Sequence, residues 1–352
     1  MPTSFSSRLR RNFDHYGQLC VGIDPHASLL EDWNLADSVE GLRTFAFTAL
    51  EAAVGRVGII KPQVSFFERF GAKGFSVLED LASAAAETDV LVIMDAKRGD
   101  IGSTMDGYFE AWLSRAAPFV CDALTVSPYL GFDSLANVFS AALENGKGLF
   151  VLAATSNPEG KSVQKALINE QTLAADIMQR LERINRVNLD PAGTIGNFGA
   201  VVGATLNLQA AGLGSIYEDV SATTPILAPG FGAQGAELSD CIQLFGSAAP
   251  RVLASVSRSV LAAGRSGIDR EGRGRTHQLP HREAAPRRAA AARMAPQQHA
   301  RRRPGAAAGA AAAARECRVS RHRAVTRGWY GERFDYPARR RTAPQTGFRS
   351  PR

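Results

Sequence analysis

The sequence predicts an α/β fold of the (β/α)8 TIM-barrel class over residues 1–264, followed by a low-complexity tail over residues 265–352. Two observations support the barrel. Eight short apolar runs alternate with amphipathic segments, and polar or glycine-rich residues follow each run at its carboxyl end. Strands that alternate with helices pair in parallel, and eight such units in about 250 residues match the usual size of this fold.

The eight apolar runs have the length of strands, and their nearly continuous apolar character indicates burial on both faces. They are Leu19–Ile23, Val57–Ile60, Val90–Met94, Ala123–Val126, Gly148–Ala154, Ala200–Gly203, Pro225–Ala228 and Arg251–Val256. Segments with apolar residues at the helical spacing of three and four lie between them: Gly41–Val54, Val64–Glu87, Thr104–Ala117, Leu135–Asn145, Gln171–Asn188 and Glu237–Gly246. A doubly wound open sheet stays an alternative, because periodicity does not show whether a sheet closes.

The positions of the polar residues favour the barrel, because a barrel builds its site from the carboxyl ends of many strands. The residues that follow the eight runs are, in order, Asp24, Lys61, Asp95 with Lys97, Ser127, Thr155–Asn157, Thr205, Gly230–Gly235 and Ser257 with Arg258. A single aspartate after a strand is more often a turn residue than a catalyst. Polar residues at every strand end predict a shared site.

Charge divides the chain into two parts. Residues 1–264 contain 19 Lys and Arg and 28 Asp and Glu, a formal charge of −9, whereas residues 265–352 contain 22 Arg, no Lys and 6 acidic residues, a formal charge of +16. The net charge of +7 therefore describes neither part. The tail is also rich in alanine and lacks apolar periodicity, which predicts a disordered or frameshift-derived segment.

The sequence indicates a cytoplasmic protein with no membrane contact. No segment has the roughly 20 apolar residues that a membrane-spanning helix needs, and no apolar stretch follows the basic residues near the N-terminus, as a signal peptide requires. The four cysteines have no CxxC spacing, which favours reduced thiols over a zinc site or a disulfide framework. They are Cys20, Cys121, Cys241 and Cys317.

A dense charged motif follows the third apolar run, with the sequence Asp95-Ala-Lys97-Arg-Gly-Asp100-Ile-Gly-Ser-Thr104. Alternation along a strand points Asp95 and Lys97 the same way, and a turn at Gly99 would return Asp100 beside them. With Lys61, these residues form a candidate Lys-Asp-Lys-Asp array. A lysine between carboxylates stays protonated, which favours a proton donor or a fixed cation over a Schiff-base nucleophile.

The alternative for this motif is a surface salt-bridge patch in which Asp100 is the N-cap of the next helix. That alternative leaves Asp95 and Lys97 unexplained at the mouth of a buried strand, where charges are unfavourable unless they are paired. Paired charges of this kind are typical of active sites, and we therefore expect one here.

A glycine-rich loop, Pro229-Gly-Phe-Gly-Ala-Gln-Gly235, follows the seventh run, and Ser257-Arg258 follows the eighth. Glycines let backbone amides approach a ligand closely, and barrels commonly bind phosphate at the ends of these two strands. Arg258 would add charge-assisted hydrogen bonds. The two features predict a phosphate site, against the alternative of a flexible loop beside a solvated arginine.

The most specific element is the DxKxxDIxxT pattern of residues 95–104. It is accompanied by Gly22-Ile-Asp24-Pro-His26, Lys61-Pro-Gln, Ser127-Pro-Tyr-Leu-Gly, Thr155-Ser-Asn-Pro, Val202-Gly-Ala-Thr205 and the loop that ends at Gly235. Together these residues, from about residue 8 to residue 264, resemble the orotidine 5′-phosphate decarboxylase family in its bacterial type 2 form. The resemblance implies a (β/α)8 barrel that acts as a homodimer.

The resemblance also implies a reaction, the release of CO₂ from orotidine 5′-phosphate to give uridine 5′-phosphate, without a cofactor or a metal. Lys97 is expected to stabilise the carbanion at C6 of the pyrimidine and then to protonate it. Asp95 is expected to lie against the departing carboxylate. Lys61 and Asp100 are expected to complete the array, orient Lys97 and hold the ribose hydroxyls.

The substrate-binding residues are likewise implied by the resemblance. Asp24 is expected to bind the ribose, Ser127 the edge of the pyrimidine, and Gln234, Gly235 and Arg258 the phosphate. Asp100 and Thr104 are expected to reach across the dimer into the partner's site, so that the homodimer is needed for a complete pocket.

The chain departs from the family at two places. Ala236 stands where the family usually has another glycine, which a negative φ would accommodate. From about Gly264 onward, the Arg- and Ala-rich tail replaces a last amphipathic helix. Because that tail has the composition of a GC-rich gene read out of frame, we interpret it as frameshift-derived.

Two other functions stay open from the sequence. One is a sugar-phosphate decarboxylase or synthase of the same barrel superfamily, which resembles this chain in the DxKxxD element but uses Mg²⁺. Lys61 disfavours it, because lysine stands where those enzymes have a carboxylate of the metal site. The other is an added nucleic-acid-binding role for the basic tail, through contacts to phosphates.

Overall fold

The computed structural model describes residues 2–190, 193–214, 218–262 and 264. In this part of the chain, eight parallel strands form a closed barrel in which each strand pairs with its sequence neighbours and the last pairs with the first. The strands are β1 Leu19–Ile23, β2 Ile59–Pro62, β3 Leu91–Arg98, β4 Ala123–Val126, β5 Gly148–Ala154, β6 Phe198–Val202, β7 Ile226–Pro229 and β8 Val252–Val256. Closure confirms the (β/α)8 prediction and excludes the doubly wound open sheet.

Each of the eight apolar runs overlaps a strand. The largest difference in bounds is at β3 and bears on function. The run Val90–Met94 predicts a strand that stops before the charged motif, whereas β3 continues to Arg98. Its burial falls off along its length, from four buried residues to partly exposed ones. Asp95 and Lys97 therefore belong to the strand itself rather than to the loop after it.

The helices of the described residues surround the barrel. They are α1 Phe5–Tyr16, α2 Ala27–Asp32, α3 Val39–Ala53, α4 Ser65–Glu68, α5 Gly71–Ala86, α6 Gly102–Trp112, α7 Ala136–Asn145, α8 Lys161–Gln164, α9 Leu173–Val187, α10 Cys241–Phe245 and α11 Arg258–Leu261. The sequence predicts one helix over Val64–Glu87, but Gly71 has φ 62°, and the chain forms two helices there. A short β-hairpin lies between α8 and α9, and its two antiparallel strands are Leu167–Ile168 and Gln171–Thr172.

Helix α1, which the run pattern does not predict, covers the amino-terminal end of the barrel. Ser4 caps it by accepting a hydrogen bond from the Ser7 N–H. Phe5 is fully buried and packs edge-to-face on Phe150 of β5, with ring centroids 6.0 Å apart. Gly148 leaves room for that ring, since a Cβ there would overlap it. This end of the barrel is therefore closed by packing, which leaves the carboxyl end for a site.

The barrel interior is apolar at its centre and charged at its carboxyl end. Its central cluster includes Cys20, Ile59, Ile93 and Ala123. Because strand side chains alternate, the next inward-facing positions on the last three of these strands are two residues further on, and they hold Lys61, Asp95 and Thr125. The core thus supports a polar layer at the carboxyl end.

Three of the predicted thiols, Cys20, Cys121 and Cys241, are buried and free. Burial raises the pKa of the Cys20 and Cys121 thiols to about 12 and that of Cys241 to about 11, so all three are protonated and unreactive at neutral pH. Cys317 and the whole tail 265–352 lie outside the described residues. Among the helices that the structure does describe, none has the length and apolar character to span a membrane.

Candidate active site

One carboxylate joins two lysines at the carboxyl end of the barrel. Asp95 Oδ2 lies 3.0 Å from Lys61 Nζ of β2, and Asp95 Oδ1 lies 2.6 Å from Lys97 Nζ of the same strand. Thr125 of β4 donates a third hydrogen bond to Oδ1, at 3.0 Å. Three of the four predicted members of the charged array therefore meet within this one chain.

The two lysines stand in different surroundings. The side chain of Lys61 is 7% exposed, whereas that of Lys97 is 45% exposed. Asp95 lies between them at 14%. Lys61 therefore acts as a fixed internal cation, and Lys97 is the lysine that a ligand in the mouth can reach.

Asp95 and the two lysines stabilise one another's ionised state. Burial opposes ionisation of Asp95, but the neighbouring charges of Lys61 and Lys97 and their hydrogen bonds outweigh it and lower the pKa of the carboxyl to about 2. Burial likewise opposes the charge on Lys61, but Asp95 and Asp24 raise the pKa of Lys61 above its ordinary value. The site is thus an alternation of fixed charges near neutral pH.

Asp24 follows β1 and extends the array on its other side. Its Oδ1 lies 4.0 Å from Lys61 Nζ and is buried, with no hydrogen-bond partner among the described residues. The Ser257 hydroxyl is also buried without such a partner. A Cβ on Gly22 would approach both side chains, at 2.9 Å from Ser257 Cβ and 3.3 Å from each Asp24 oxygen. Asp24 and Ser257 therefore line one polar corner between β1 and β8.

Ser127 lies just beyond β4, as its position after the fourth run predicts. Its backbone N–H donates to the Arg98 carbonyl at 2.7 Å, and the Ser127 carbonyl leaves no room for a side chain on Gly99. The side chain of Ser127 is half-buried at the barrel mouth. This tight crossing holds the turn after β3 against the end of β4.

Asp100 and Thr104 do not join the array within this chain. The Asp100 carboxylate accepts a hydrogen bond from the Ile101 N–H at 2.8 Å and forms no salt bridge with the residues that the structure describes. It is not the side-chain N-cap of α6, which begins at Gly102 after Ile101. Thr104 is exposed on the first turn of α6. The expectation that a turn at Gly99 returns Asp100 to Lys97 in the same subunit is therefore not met.

The loop after β7 folds back on itself. Gly235 donates its N–H to the Gly232 carbonyl at 2.9 Å and has φ 103°, a conformation that favours glycine. Ala236 is buried and is absent from the residues with positive φ, so alanine is accommodated where the family usually has glycine. Gln234 and Gly235 are exposed at the tip of the loop.

This loop lies against the segment after β8. A Cβ on Gly232 would overlap the Ser259 hydroxyl of α11, and Arg258, the first residue of that helix, is exposed. The backbone amides of the loop and the guanidinium of Arg258 thus belong to neighbouring segments at one edge of the mouth. That arrangement suits an anion such as a phosphate.

Two further site residues were not predicted as such. Thr125 contacts Asp95 but lies inside an apolar run, where its hydroxyl gives no signal of its own. Ser257 was noticed only beside Arg258, and its buried hydroxyl becomes apparent from the packing of β8 on β1. Among the described residues, no group of three or more His, Cys, Asp or Glu side chains is arranged to hold a metal ion.

A closed parallel barrel with paired charges at its carboxyl end is typical of a (β/α)8-barrel enzyme, whose chemistry takes place at the strand ends. Residues 17–267 match the sequence profile of the orotidine 5′-phosphate decarboxylase / HUMPS family. The chain belongs to that family.

Curated relatives and solved structures agree with this assignment. An orotidine 5′-phosphate decarboxylase from Streptomyces coelicolor is 51% identical over 261 residues, which cover 74% of this chain and 90% of the relative. One from Nocardioides sp. is 48% identical over 261 residues, 73% of this chain and 91% of the relative. The crystal structure of a Streptomyces avermitilis protein assigned as an orotidine 5′-phosphate decarboxylase superposes with a TM-score of 0.70 at 49% identity, covering 76% of this chain and 93% of that one.

Proposed function

We propose that this chain is a cytoplasmic orotidine 5′-phosphate decarboxylase, which forms uridine 5′-phosphate and CO₂ in the last step of de novo UMP biosynthesis and uses neither cofactor nor metal. The observation that carries the proposal is the Lys61–Asp95–Lys97 array at the carboxyl end of the barrel. Two relatives that are 51% and 48% identical to this chain are named orotidine 5′-phosphate decarboxylase. The free thiols of the described cysteines suit a reducing compartment.

The reaction demands a fixed positive charge. Breaking the bond between C6 and the carboxylate leaves an electron pair in the plane of the pyrimidine, where the ring cannot delocalise it. CO₂ departs as that bond breaks. The Lys97 ammonium stabilises the electron pair left on C6 and then gives it a proton, so that a C6–H bond forms. Lys97 regains its proton from solvent, which its 45% exposed side chain reaches.

Asp95 keeps Lys97, the proton donor, in its protonated state. Lys97 Nζ donates a hydrogen bond to Asp95 Oδ1 at 2.6 Å, which favours the protonated lysine. The proton therefore moves only when a stronger base develops at C6. Because the pKa of Asp95 is about 2, its carboxylate stays ionised and repels the departing carboxylate of the substrate. Lys61 neutralises the other oxygen of Asp95 and holds it in place.

The remaining residues bind the substrate in this proposal. Asp24, with the neighbouring Lys61, binds the ribose hydroxyls. Its buried Oδ1, which has no hydrogen-bond partner among the described residues, supports that role. Ser127 contacts the pyrimidine edge. The phosphate is bound by Gln234, Gly235 and Arg258, whose segments lie next to each other. Phosphate contacts remote from C6 supply binding energy that orients the ring for reaction.

The proposed assembly is a homodimer in which Asp100 and Thr104 enter the partner's site. Ile101, Tyr129 and Leu130 support it, because they are 60%, 79% and 53% exposed and follow the neighbouring strands β3 and β4. Exposed apolar side chains at one site are typical of protein contacts. Asp100 makes no salt bridge with the described residues of its own chain, which leaves its carboxylate available to a second subunit.

A spectrophotometric decarboxylation assay on the full chain tests the activity. We expect turnover of orotidine 5′-phosphate by the wild-type chain and a loss of about 10²- to 10⁴-fold or more in Lys97→Ala, because the proton donor is removed. Lys73→Ala, at an exposed lysine of α5, is the matched control and retains full activity. Full activity of Lys97→Ala would refute the mechanism.

Mixing two inactive variants tests the shared site. In a mixed dimer of Lys97→Ala and Asp100→Ala chains, one site contains both changes and the other contains neither. Equal mixing after dissociation should therefore restore about a quarter of the wild-type sites. A mixture that stays as inactive as its components would place Asp100 and Lys97 outside a common intersubunit site.

The second candidate, a Mg²⁺-dependent sugar-phosphate enzyme, fits the donor set less well. Both oxygens of Asp95 contact lysine ammonium groups, and a divalent cation there would meet like charges. Turnover of orotidine 5′-phosphate that persists in a strong chelator favours the first proposal. Activity that needs added Mg²⁺ and a sugar phosphate would favour the second.

We further propose that residues 1–264 constitute the barrel domain and that residues 265–352 are frameshift-derived. The family match ends at residue 267, close to the change in composition, and the aligned region spans 90% of the Streptomyces coelicolor relative. Sequencing the gene tests this directly, because a shifted frame should encode the missing family ending. Salt-sensitive nucleic-acid binding that is lost when the chain stops at residue 264 would instead support a functional basic arm.

A further inference from the structure

Strands β3 and β4 do not pair evenly at the site. Met94 lies opposite Leu124 and Arg98 lies opposite Val126, so three residues of β3 stand where β4 has only Thr125. Irregularities of this kind change the direction of side chains and are frequent beside active sites. The three residues are Asp95, Ala96 and Lys97, and two of them belong to the charged array.

The side chain of Thr125 spans this irregular stretch. The Lys97 backbone N–H donates to Thr125 Oγ1 at 2.9 Å, and the Thr125 hydroxyl donates to Asp95 Oδ1 at 3.0 Å. The direction is determined, because the ionised Asp95 carboxylate can only accept and the Lys97 N–H can only donate. Thr125 is 1% exposed, so solvent does not compete for either bond.

Lys97 has an unusual backbone at this point. Its φ is 50°, in the left-handed region that residues with a Cβ rarely occupy. The hydrogen bond from its N–H to Thr125 holds that conformation, and the same hydroxyl holds the carboxylate that binds Lys97 Nζ. The Thr125 hydroxyl on β4 therefore contacts the Lys97 backbone directly and the Lys97 side chain through Asp95.

We propose that Thr125 is a positioning residue for the decarboxylation, which fixes the direction of the Lys97 ammonium and the orientation of the Asp95 carboxylate through one hydroxyl group. This inference rests on the proposed function. Thr125 does not touch the reacting atoms. Its effect passes through Lys97, and a displacement of about 1 Å in a reacting group can lower a rate by roughly 10²-fold.

Two substitutions separate the hydroxyl from the shape of the side chain. Thr125→Val keeps the branched volume and removes the hydroxyl, whereas Thr125→Ser keeps the hydroxyl and removes a methyl group. We expect Thr125→Val to lower kcat by about 10- to 100-fold with KM within about threefold of wild type. Thr125→Ser should retain kcat within about threefold of wild type.

The pH dependence of kcat is a second measurement, and a change in packing alone would not alter it. Thr125→Val removes one hydrogen bond that favours ionised Asp95, so the acid limb of the kcat profile should shift to higher pH, whereas Thr125→Ser should leave it in place. Unchanged kcat in Thr125→Val, equal impairment of both variants, or a change in KM alone would each overturn the proposal. If Thr125→Val does not fold, Thr125→Ala provides the same comparison with Thr125→Ser.

A crystal structure of Thr125→Val separates this inference from the proposed function. We expect Lys97 to leave its positive φ and the distance from Lys97 Nζ to Asp95 Oδ1 to exceed 2.6 Å. An unchanged Lys97 in that variant would refute the positioning role even if the chain decarboxylates its substrate. A displaced Lys97 in a chain whose wild type has no decarboxylase activity would support the positioning and refute the proposed function.

Discussion

The ammonium of Lys61 lies 3.0 Å from Asp95 Oδ2 at the carboxyl end of the barrel, where the Lys61 side chain is only 7% exposed. A lysine loses much of its hydration in such a place, and the carboxylate offsets that loss. Asp95 in turn is held ionised by the same contact. The two residues therefore depend on each other for stability, in addition to any part they take in catalysis.

Removing the carboxylate should destabilise the fold. We expect Asp95→Asn to lower the free energy of unfolding by about 3–5 kcal/mol, because it leaves the Lys61 charge buried with Asp24, 4.0 Å away, as its one remaining ion-pair partner among the described residues. Urea denaturation at neutral pH measures the change. The double variant Asp95→Asn/Lys61→Met should recover part of the loss. Equal destabilisation of the single and double variants would contradict the coupling.

Acid should weaken the fold through the same carboxyl group. The pKa of Asp95 is about 2 in the folded chain and 3.8 in its ordinary state, so its ionisation stabilises the fold fully above about pH 5. This contribution, about 2 kcal/mol, is lost as pH falls from about 4 to 2. Comparing wild type with Asp95→Asn across this range isolates it, because other acidic groups affect both chains. A stability difference independent of pH would refute the assignment.

Lys97 should separate activity from stability. Its side chain is 45% exposed, so Lys97→Ala is expected to change the free energy of unfolding by less than about 1 kcal/mol while abolishing most turnover. Lys61→Ala, at the buried lysine, should lower both. Thermal denaturation and the decarboxylation assay on the same preparations measure the two effects. Large destabilisation in Lys97→Ala would show that Lys97 has a structural role as well.

The amino-terminal end of the barrel should be sensitive to one added methyl group. Gly148→Ala would place its Cβ against the Phe5 ring, and we expect a loss of about 1–3 kcal/mol in the free energy of unfolding. Combining it with Phe5→Leu should recover part of that loss. Gly107→Ala on α6, where no atom lies within 4 Å of the added Cβ, is the control and should be neutral or stabilising. Equal effects at both glycines would contradict the packing.

Arg258 should contribute mainly to substrate binding. We expect Arg258→Ala to lower kcat/KM by roughly 10- to 100-fold, because a charge-assisted hydrogen bond to phosphate is lost. Arg11→Ala, at an exposed arginine on α1, is the matched control at the opposite end of the barrel. Steady-state kinetics measure both variants. Unchanged kcat/KM in Arg258→Ala would exclude Arg258 from the phosphate site.

Strand positions were predictable because each apolar run is a local signal. The runs Leu19–Ile23, Ala123–Val126 and Gly148–Ala154 coincide with β1, β4 and β5. β3 was predicted too short, because its charged end does not look like a buried strand and forms only through pairing with β4. Helix α1 was not predicted, although Phe5, Leu9 and Phe13 have helical spacing, and its buried face exists only against the barrel.

The candidate site was predictable where a charged residue follows an apolar run. Lys61, Asp95 and Lys97 were chosen on that ground, and the structure brings them together. The turn at Gly99 alone suggested that Asp100 lies in the same pocket of the same chain, whereas the family resemblance implied the partner's site. In the structure Asp100 accepts a hydrogen bond from the Ile101 N–H, and its place in a partner's site stays a prediction. Thr125 was not predicted as a site residue, because a threonine inside a strand cannot be distinguished by its position from an ordinary β-branched strand residue.

Local patterns in the sequence are enough to predict the order of strands and helices and the charged residues at the strand ends, because both depend on spacing between near neighbours along the chain. Three relationships become visible only in the folded chain: the sheet closes, Lys61 contacts Asp95 from 34 residues away, and Thr125 contacts both Asp95 and Lys97. These relationships depend on strand register and twist, which join residues distant in the chain and have no local signature.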